Sequence, residues 1–205
     1  YFENGIITGV SSYLNFSWMP ELTLRMTHHM INHLDIGSSD TILDYGCAKG
    51  FIVKALRIFD HNAYGVDISE YAIKNADGAV RDYCRLIQSG HDENLYDRHY
   101  NWMISKDVFE HISELDLRLL LNHALENVDQ LFAVIPVSID DRSNKYIIPE
   151  YDRDVTHVIA KSIGWWQKLF QSCGWTVERA TNSFPGCKEN YTSRWDNGNA
   201  FFILS

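Results

Sequence analysis

The stretch that decides the fold is Ile42-Leu43-Asp44-Tyr45-Gly46-Cys47-Ala48-Lys49-Gly50, which leads into an amphipathic run over residues 51–59. Apolar residues end in an acid, a turn that contains two glycines follows, and a helical pattern then begins. Glycine lets the main chain turn tightly and lets a ligand approach it closely, because it has no Cβ. The stretch predicts a strand over residues 41–45, a turn, and a helix over residues 50–59, as in a nucleotide-binding strand-turn-helix unit.

A second acid stands at a matching place in the next unit of the chain. Residues 63–67 read Ala-Tyr-Gly-Val-Asp and predict a second strand that ends in Asp67. Taken alone, the glycine turn is equally compatible with an ordinary strand-to-helix connection that binds nothing. Ligands of open α/β sheets bind at the carboxyl ends of the strands, so acids at two such ends favour a binding site. The turn is not the dinucleotide fingerprint G-x-G-x-x-G, because Ala48 stands where a second glycine would be.

Strands and helices alternate along the rest of the chain, which predicts an α/β sheet with both faces covered. Further helices are predicted over residues 20–34, 69–75, 114–127 and 161–173, and further strands over 83–88, 102–105, 130–137, 176–180 and 200–204. The polar stretch 138–156 has no regular pattern. Long irregular segments in compact domains are usually functional, so we expect residues 138–160 to form an active-site lid or substrate loop.

The composition limits the class of protein. The chain has 205 residues, of which 45% are hydrophobic and 22% charged, which suits one domain with a substantial core. The net charge of −9 and the scattered 18 Lys and Arg residues argue against nucleic-acid binding. No apolar run in the sequence is long enough to cross a bilayer. The cysteines show no paired spacing, so we expect reduced thiols and a cytoplasmic protein.

The glycine stretch resembles the acid-x-Gly-x-Gly-x-Gly signature of class I S-adenosylmethionine-dependent methyltransferases, with Ala48 in the middle glycine's place. The stretch Ser105-Lys106-Asp107-Val108-Phe109-Glu110-His111-Ile112 is similar to the segment after strand four in that family. Asp154-Val155-Thr156-His157-Val158, followed by Trp165-Trp166, resembles the sugar and small-metabolite members. The resemblance covers roughly residues 40–205. It implies a Rossmann-like, doubly wound, mostly parallel seven-stranded α/β sheet with an antiparallel last strand, in a single domain 1–205 that opens with an aromatic arm and helix over residues 1–37.

The resemblance also implies S-adenosylmethionine as the cofactor and S-adenosylhomocysteine as its product. The glycine turn would hold the methionine and ribose parts, and the end of strand four would line the sulfonium side. The acid that ends strand two would bind the ribose hydroxyls, because the two oxygens of a carboxylate can accept both hydrogens of a vicinal diol. Carried over residue by residue, the cofactor-binding set is Asp44, Gly46, Cys47, Ala48, Gly50, Asp67, Ile68, Lys106, Asp107 and Tyr13.

Two positions in this set are open questions. Alanine is uncomfortable at positive φ, so Ala48 matters if the turn needs a left-handed residue there. No motif marks the residues that would contact adenine. Ser89, Gly90 and His91 are candidates by position alone.

Two histidines are candidates for a catalytic base, His157 first and His111 second. The pKa of an ordinary imidazole, near 6.5, suits the deprotonation of a hydroxyl. Each histidine also has a structural alternative. His111 could pack on the core at the start of a helix, and His157 could be a solvated loop residue.

No metal site is expected from the sequence. Asp140 and Asp141 could hold a divalent cation, but adjacent acids in a loop are more often simply solvated. His29 and His33 lie one helical turn apart and could bind zinc, but the sequence shows no further ligand near them.

The expected function is methyl transfer to a small-molecule acceptor, most of all a hydroxyl of a sugar or sugar-nucleotide in carbohydrate biosynthesis. Tyr146, Tyr151, Trp165 and Trp166 around the expected lid could stack on a sugar ring or could pack in the core and rim. The alternatives are a protein or nucleic-acid methyltransferase, and a non-catalytic partner subunit that keeps the fold. A nicotinamide-dependent oxidoreductase would need the dinucleotide fingerprint, which is absent.

Overall fold

The computed structural model describes residues 16–90, 92 and 94–205. Tyr13 and His91 from the expected cofactor site therefore lie outside the described residues. The strands are β1 (Thr41–Tyr45), β2 (Asn62–Asp67), β3 (Cys84–Leu86), β4 (Tyr100–Lys106), β5 (Val128–Pro136), β6 (Val177–Thr181) and β7 (Asn199–Leu204). They form one sheet in the order β3-β2-β1-β4-β5-β7-β6. β7 runs antiparallel to both neighbours and the other paired strands are parallel, which confirms the fold class.

Helices lie between the strands along the chain. They are α1 (Pro20–His33), α2 (Phe51–Ile58), α3 (Glu70–Lys74), α4 (Glu114–Leu125), α5 (Ile163–Ser172) and the short α6 (Glu189–Thr192), with 3₁₀ turns at Arg81–Tyr83, Phe109–His111 and Pro149–Arg153. Serine caps begin three of them. Ser69, Ser113 and Ser162 accept hydrogen bonds from the N–H groups of Ala72, Asp116 and Trp165 at the starts of α3, α4 and α5.

Apolar side chains cover both faces of the sheet. Successive residues of a strand point to opposite faces, so Ile42 packs in one cluster and Leu43 in the other. The first cluster includes Met30 of α1 and Val53 of α2, whereas the second includes residues of α4 and α5 such as Phe170. The buried sheet between the two helix layers fixes the carboxyl ends of β1, β2 and β4 side by side.

The predicted elements differ from the structure mainly at their ends. The third strand covers residues 84–86 and not 83–88, and residue 83 belongs to the 3₁₀ turn before it. The helix α6 was not predicted. The stretch 138–156 is largely irregular, as expected, but it contains the 3₁₀ turn Pro149–Arg153 and an isolated bridge between Ser138 and Tyr146.

Two further findings concern the described residues. No helix among them is long and apolar enough to cross a membrane. Cys47, Cys84, Cys173 and Cys187 are all buried free thiols.

Gly65 in β2 lets the glycine turn pack directly on the sheet. A Cβ at Gly65 would lie 2.7 Å from both the Cβ and the Sγ of Cys47, and 2.9 Å from a methyl carbon of Val53. These distances are far below van der Waals contact. The turn after β1 can therefore sit this close to β2 only because residue 65 has no side chain.

We expect Gly65→Ala to lower the free energy of unfolding by about 1–3 kcal/mol, because overpacking of a close-packed core forces its neighbours to move. Gly78→Ala is the matched control, since a Cβ at Gly78 would meet nothing within 4 Å. Urea unfolding of both variants checks the prediction. Equal stability of the Gly65 variant and the wild type would contradict it.

Candidate active site

Backbone hydrogen bonds hold the glycine turn at the carboxyl end of β1. The N–H groups of Gly46 and Cys47 donate to the carbonyl of Val66 at 2.8 and 3.0 Å, and the N–H of Gly50 donates to the carbonyl of Cys47 at 2.8 Å. Gly46, Ala48 and Gly50 have positive φ angles of 80°, 50° and 77°. Gly46 and Gly50 carry no side chain, which is the condition for a ligand to approach the backbone closely at those positions.

Ala48 adopts a left-handed backbone conformation, which is unfavourable for alanine. An L-residue in this region costs roughly 1–2 kcal/mol relative to the ordinary helical conformation. The N–H of Ala48 donates to Oδ2 of Asp67 at 2.8 Å, which helps to offset that cost. The backbone of the turn is therefore formed with alanine in the middle glycine's place.

Asp67 joins two turns of the site through its two carboxylate oxygens. Oδ2 accepts the hydrogen bond from Ala48, and Oδ1 accepts one from the N–H of Ser69 at 2.7 Å. Burial raises the pKa of Asp67, and the backbone hydrogen bonds from Ser69 and Ala48 oppose that rise. Each oxygen has a second lone pair, so the carboxylate can also accept hydrogen bonds from a ligand hydroxyl.

Asp44 lies under the turn with only 3% of its surface exposed. Burial raises the pKa of Asp44 to about 8, the charge of Asp67 adds to the rise, and Lys106 opposes it. The buried carboxyl is therefore largely protonated at neutral pH. A cationic ligand beside it would favour the ionised form.

The end of β4 lies directly against the glycine turn. A Cβ at Gly46 would lie 2.4 Å from a methyl carbon of Val108, so the two segments touch across the carboxyl edge of the sheet. Asp107 precedes Val108 and has a left-handed backbone with φ 57°. The Nζ of Lys106 donates to Oδ2 of Asp107 at 2.6 Å. The structure thus places Lys106 and Asp107 next to the segment that touches the glycine turn.

Lys188 is a residue of this site that sequence reasoning missed. It comes from the segment between β6 and β7, and its side chain is 7% exposed. Its Nζ donates to Oδ1 of Asp107, to the Tyr151 hydroxyl at 3.0 Å and to Oδ1 of Asn199 at 2.9 Å. Burial acts against the charged form of Asp107, but Lys106 and Lys188 outweigh it and hold the pKa of Asp107 well below its usual range.

The structure brings His111 and His157 together, with ring centroids 4.6 Å apart. The Nδ1 of His157 lies 2.9 Å from the Tyr151 carbonyl, and the Nδ1 of His111 lies 2.9 Å from Oγ1 of Thr156. Burial lowers the pKa of both imidazoles, so both are neutral at pH 7. The His157 side chain is 8% exposed, so the alternative of a solvated loop histidine is wrong.

Glu110 lies beside the two histidines and was also missed. It is 1% exposed, and burial followed by the charge of Asp107 raises its pKa to about 8. Its carbonyl accepts hydrogen bonds from the N–H groups of Val158 and Ile159 at 2.8 and 3.2 Å, which dock the irregular loop on the end of β4. A cavity of about 80 Å³ opens beside His157, and the loop supplies all of its lining residues.

Other expected residues fall into two groups. Ile68 directly follows Asp67 and is 66% exposed, so its apolar surface is available to a ligand. The Cys47 side chain instead packs against β2 beneath Gly65. Gly90 lies close to the hydroxyl of Tyr45, within 3.3 Å of where its Cβ would stand. Because the Cys47 thiol packs against β2, residue 47 could contact a cofactor through its backbone and not through its thiol.

Of the residues considered as sugar-stacking groups, Tyr146 and Tyr151 line the cavity beside His157. The residues considered as metal ligands and Trp166 have other surroundings. Asp140 and Asp141 accept backbone hydrogen bonds from loop residues, Asp141 from the N–H of Ser162 at 2.9 Å. The rings of His29 and His33 stack on each other along α1 with centroids 5.7 Å apart. Trp166 is fully buried in the core and cannot stack on a substrate.

A model of the methyltransferase domain family matches residues 19–180. The chain belongs to this methyltransferase family. S-adenosylmethionine is its methyl donor, so the chain is an S-adenosylmethionine-dependent methyltransferase. A search of the curated proteins finds no match to the sequence.

Solved structures of methyltransferases share the fold. A methyltransferase from Archaeoglobus fulgidus that depends on S-adenosylmethionine superposes with a TM-score of 0.68 at 14% identity, over 95% of this chain and 99% of that one. One from Clostridium acetobutylicum gives 0.65 at 10% identity, over 98% and 95%. The mitomycin 7-O-methyltransferase MmcR gives 0.62 at 14% identity, over 99% of this chain and 65% of that one. At these identities the similarity establishes the fold.

The raised pKa of Asp44 in the methyltransferase predicts how stability changes with pH. The folded chain holds a proton on Asp44 that the unfolded chain releases above about pH 4, so the free energy of unfolding falls as the pH rises from about 4 to about 8. Asp44→Asn removes this pH-dependent fall. Between pH 5 and pH 7 the free energy of unfolding of the variant should therefore rise by about 1–2.5 kcal/mol relative to that of the wild type, measured by urea unfolding at each pH.

Asp60→Asn is the control for this experiment. Asp60 is an exposed residue before β2, at the opposite end of that strand from Asp67. The difference in free energy of unfolding between Asp60→Asn and the wild type should therefore stay constant with pH. Parallel stability curves for Asp44→Asn and the wild type would show that Asp44 is not a buried, protonated acid.

Proposed function

We propose that S-adenosylmethionine binds across the carboxyl ends of β1, β2 and β4. The glycine turn 46–50 would hold the methionine and ribose parts, and Asp67 would accept hydrogen bonds from the ribose hydroxyls. The exposed side chain of Ile68 offers adenine an apolar surface next to the ribose. Asp44 and Asp107 supply acidic groups near the ammonium and sulfonium charges of the ligand.

We further propose that the methyl group passes to a hydroxyl of a small molecule, with a sugar or sugar-nucleotide favoured. The observation that carries this proposal is the buried pair of His111 and His157, which follows the Lys106–Asp107 end of β4 by one 3₁₀ turn. The pair therefore lies next to the segment that would line the sulfonium, because His111 ends the 3₁₀ turn that follows it. The irregular loop that covers it makes the site a concave, polar pocket that suits a small acceptor.

The reaction is an in-line displacement at the methyl carbon. A lone pair of the acceptor oxygen forms the new carbon–oxygen bond, the carbon–sulfur bond breaks, and its electron pair stays on sulfur. The cofactor supplies the activated methyl group, and the protein aligns the reactants and removes the hydroxyl proton. The proposed acceptor of that proton is His157, with His111 second, because the two rings lie together beyond the end of β4.

Two features support a polyhydroxyl acceptor. The cavity beside His157 is lined by polar groups of Asn144, Asp152 and Asp154 as well as by the ring of Tyr151. Carboxylate and amide groups in such a position suit the many hydroxyls of a sugar. The mitomycin enzyme with the same fold is by its name an O-methyltransferase, which agrees with an oxygen acceptor.

Cofactor binding tests the first proposal. Asp67→Asn should weaken the binding of S-adenosylhomocysteine at least about tenfold, because it removes a charge-assisted acceptor and turns one oxygen into a donor that faces an N–H. Isothermal calorimetry measures the affinity, with Asp60→Asn as the control at the other end of β2. Absence of binding to the wild type at millimolar ligand would rule out the proposed cofactor site.

Turnover tests the second proposal. Formation of S-adenosylhomocysteine from S-adenosylmethionine is followed with a panel of sugars and sugar-nucleotides, and His157→Ala and His111→Ala should each lower kcat by about 10²-fold or more. His99→Ala is the matched control, because His99 is exposed and pairs with Asp129 away from the site. Full rates in both site variants would refute the role of the histidines. Turnover with a protein or nucleic acid alone would favour that alternative, and cofactor binding without any turnover would favour a non-catalytic subunit.

A further inference from the structure

Glu110, His111 and His157 form a cluster with the geometry of a metal site. One ligand atom from each residue, a carboxylate oxygen and two imidazole nitrogens, lies within 4.8 Å of the other two. No other such group of three occurs among residues 16–90, 92 and 94–205. Ligands that share one ion at bond lengths of about 2.1 Å stand about 3–3.5 Å apart, so small side-chain rotations would close the cluster on a cation.

Hydrogen bonds already orient both imidazoles as metal ligands are usually oriented. The Nδ1–H of His157 donates to the Tyr151 carbonyl, which leaves the lone pair of the neutral ring on Nε2. The Thr156 hydroxyl donates to Oδ1 of Asp154 at 2.5 Å and so accepts from Nδ1–H of His111. Metal-binding histidines typically donate their other ring N–H to a carbonyl or a carboxylate-linked group in this way, which fixes the tautomer and the ring.

Glu110 provides the independent observation that points to a ligand. The residue is 1% exposed, and its Oε2 has no hydrogen-bond partner. A buried polar oxygen without a partner costs roughly 1–3 kcal/mol, so native proteins rarely leave one unsatisfied. A cation between Glu110 and the two imidazoles would satisfy this oxygen.

The cluster also has a cavity at one of its residues and a suitable place in the fold. The cavity of about 80 Å³ borders His157. It has room for several water molecules and for part of an acceptor. Glu110 follows the end of β4 by only a few residues, so a cation bound there would lie on the acceptor side of the proposed methyl-transfer site.

We propose that Glu110, His111 and His157 bind one divalent transition-metal cation whose open positions coordinate the acceptor hydroxyl. Two imidazoles and one carboxylate favour zinc, iron, cobalt or nickel over magnesium and calcium, which prefer sets made of oxygen alone. The coordination of the acceptor hydroxyl rests on the proposed function, whereas the binding of a cation by these three residues does not. With the cation bound, the imidazoles act on the acceptor through the metal.

The methyl-transfer step balances with such a cation. Coordination of the acceptor oxygen lowers the pKa of its hydroxyl, and the proton leaves to water in the adjoining cavity. The metal-held oxygen then forms the bond to the methyl carbon, and the electron pair of the broken carbon–sulfur bond remains on sulfur. The cation keeps its charge, so no oxidant or reductant takes part.

Metal binding is tested on the full chain after treatment with EDTA and dialysis. Calorimetry with Zn²⁺ should show one equivalent bound to the wild type, and Co²⁺ should give visible d–d absorption. Glu110→Gln and His157→Ala should weaken Zn²⁺ binding about 100-fold or more. His33→Ala should bind as the wild type does, because it removes an exposed histidine of α1 outside the cluster.

Two results would overturn the inference: no saturable binding of one Zn²⁺ by the wild type, or equal affinity in the wild type and Glu110→Gln. The glutamine keeps the shape of Glu110, so a thermal melt and calorimetry with S-adenosylhomocysteine will show whether that variant is folded. Zn²⁺ binding without S-adenosylhomocysteine binding would refute the proposed function and support the metal site. S-adenosylhomocysteine binding without Zn²⁺ binding would refute the metal site alone.

Discussion

A single buried carboxylate, that of Asp67, holds together the two turns that follow β1 and β2. Its oxygens accept one hydrogen bond from the turn after β1 and one from the turn after β2. The charge is costly to bury, and the two N–H donors reduce that cost. The bond from the Ala48 N–H helps to hold that residue in a conformation that an alanine avoids. The position of the glycine turn thus depends on an acid that also has lone pairs left for a ligand.

Several unfavourable backbone conformations and buried charges lie at the carboxyl edge of the sheet. Of the seven non-glycine residues with left-handed backbones in the described part of the chain, Ala48, Asp107 and Lys188 lie there, and so do two acids with raised pKa values, Asp44 and Glu110. Such costs persist only where the surrounding structure over-determines the conformation, and they cluster at functional sites. Both acids lie where a positive charge would stabilise them. A cationic cofactor beside Asp44 and a metal ion beside Glu110 would relieve two costs of the same kind.

Local sequence pattern was sufficient for the strands and turn from which the candidate site is built. The bounds of β1 were predicted correctly, and so was the end of β2 at Asp67, because strand ends and glycine turns have short-range sequence signals. Lys188 could not be found in this way, since it lies 81 residues from Asp107 and in a segment without regular pattern. Glu110 belongs to a stretch that resembles the family, but nothing in that stretch shows that its side chain is fully buried. Pairwise contacts between distant irregular segments have no local sequence signal, and such contacts surround the two histidines.

Under the proposed function, the loop over residues 138–160 would be part of the acceptor site as well as its cover. It carries His157, Thr156 and Tyr151, and it is fixed to the end of β4 by the two hydrogen bonds to the Glu110 carbonyl. A third bond, from the Tyr146 hydroxyl to the Ile159 carbonyl, closes the loop on itself. Each such bond contributes only about 0.5–1.5 kcal/mol, but the fully buried side chain of Ile148 anchors the loop further. Displacement of the loop would separate His157 from His111 and Glu110. Acceptor entry would therefore be coupled to the assembly of the proposed reactive groups through one docked segment.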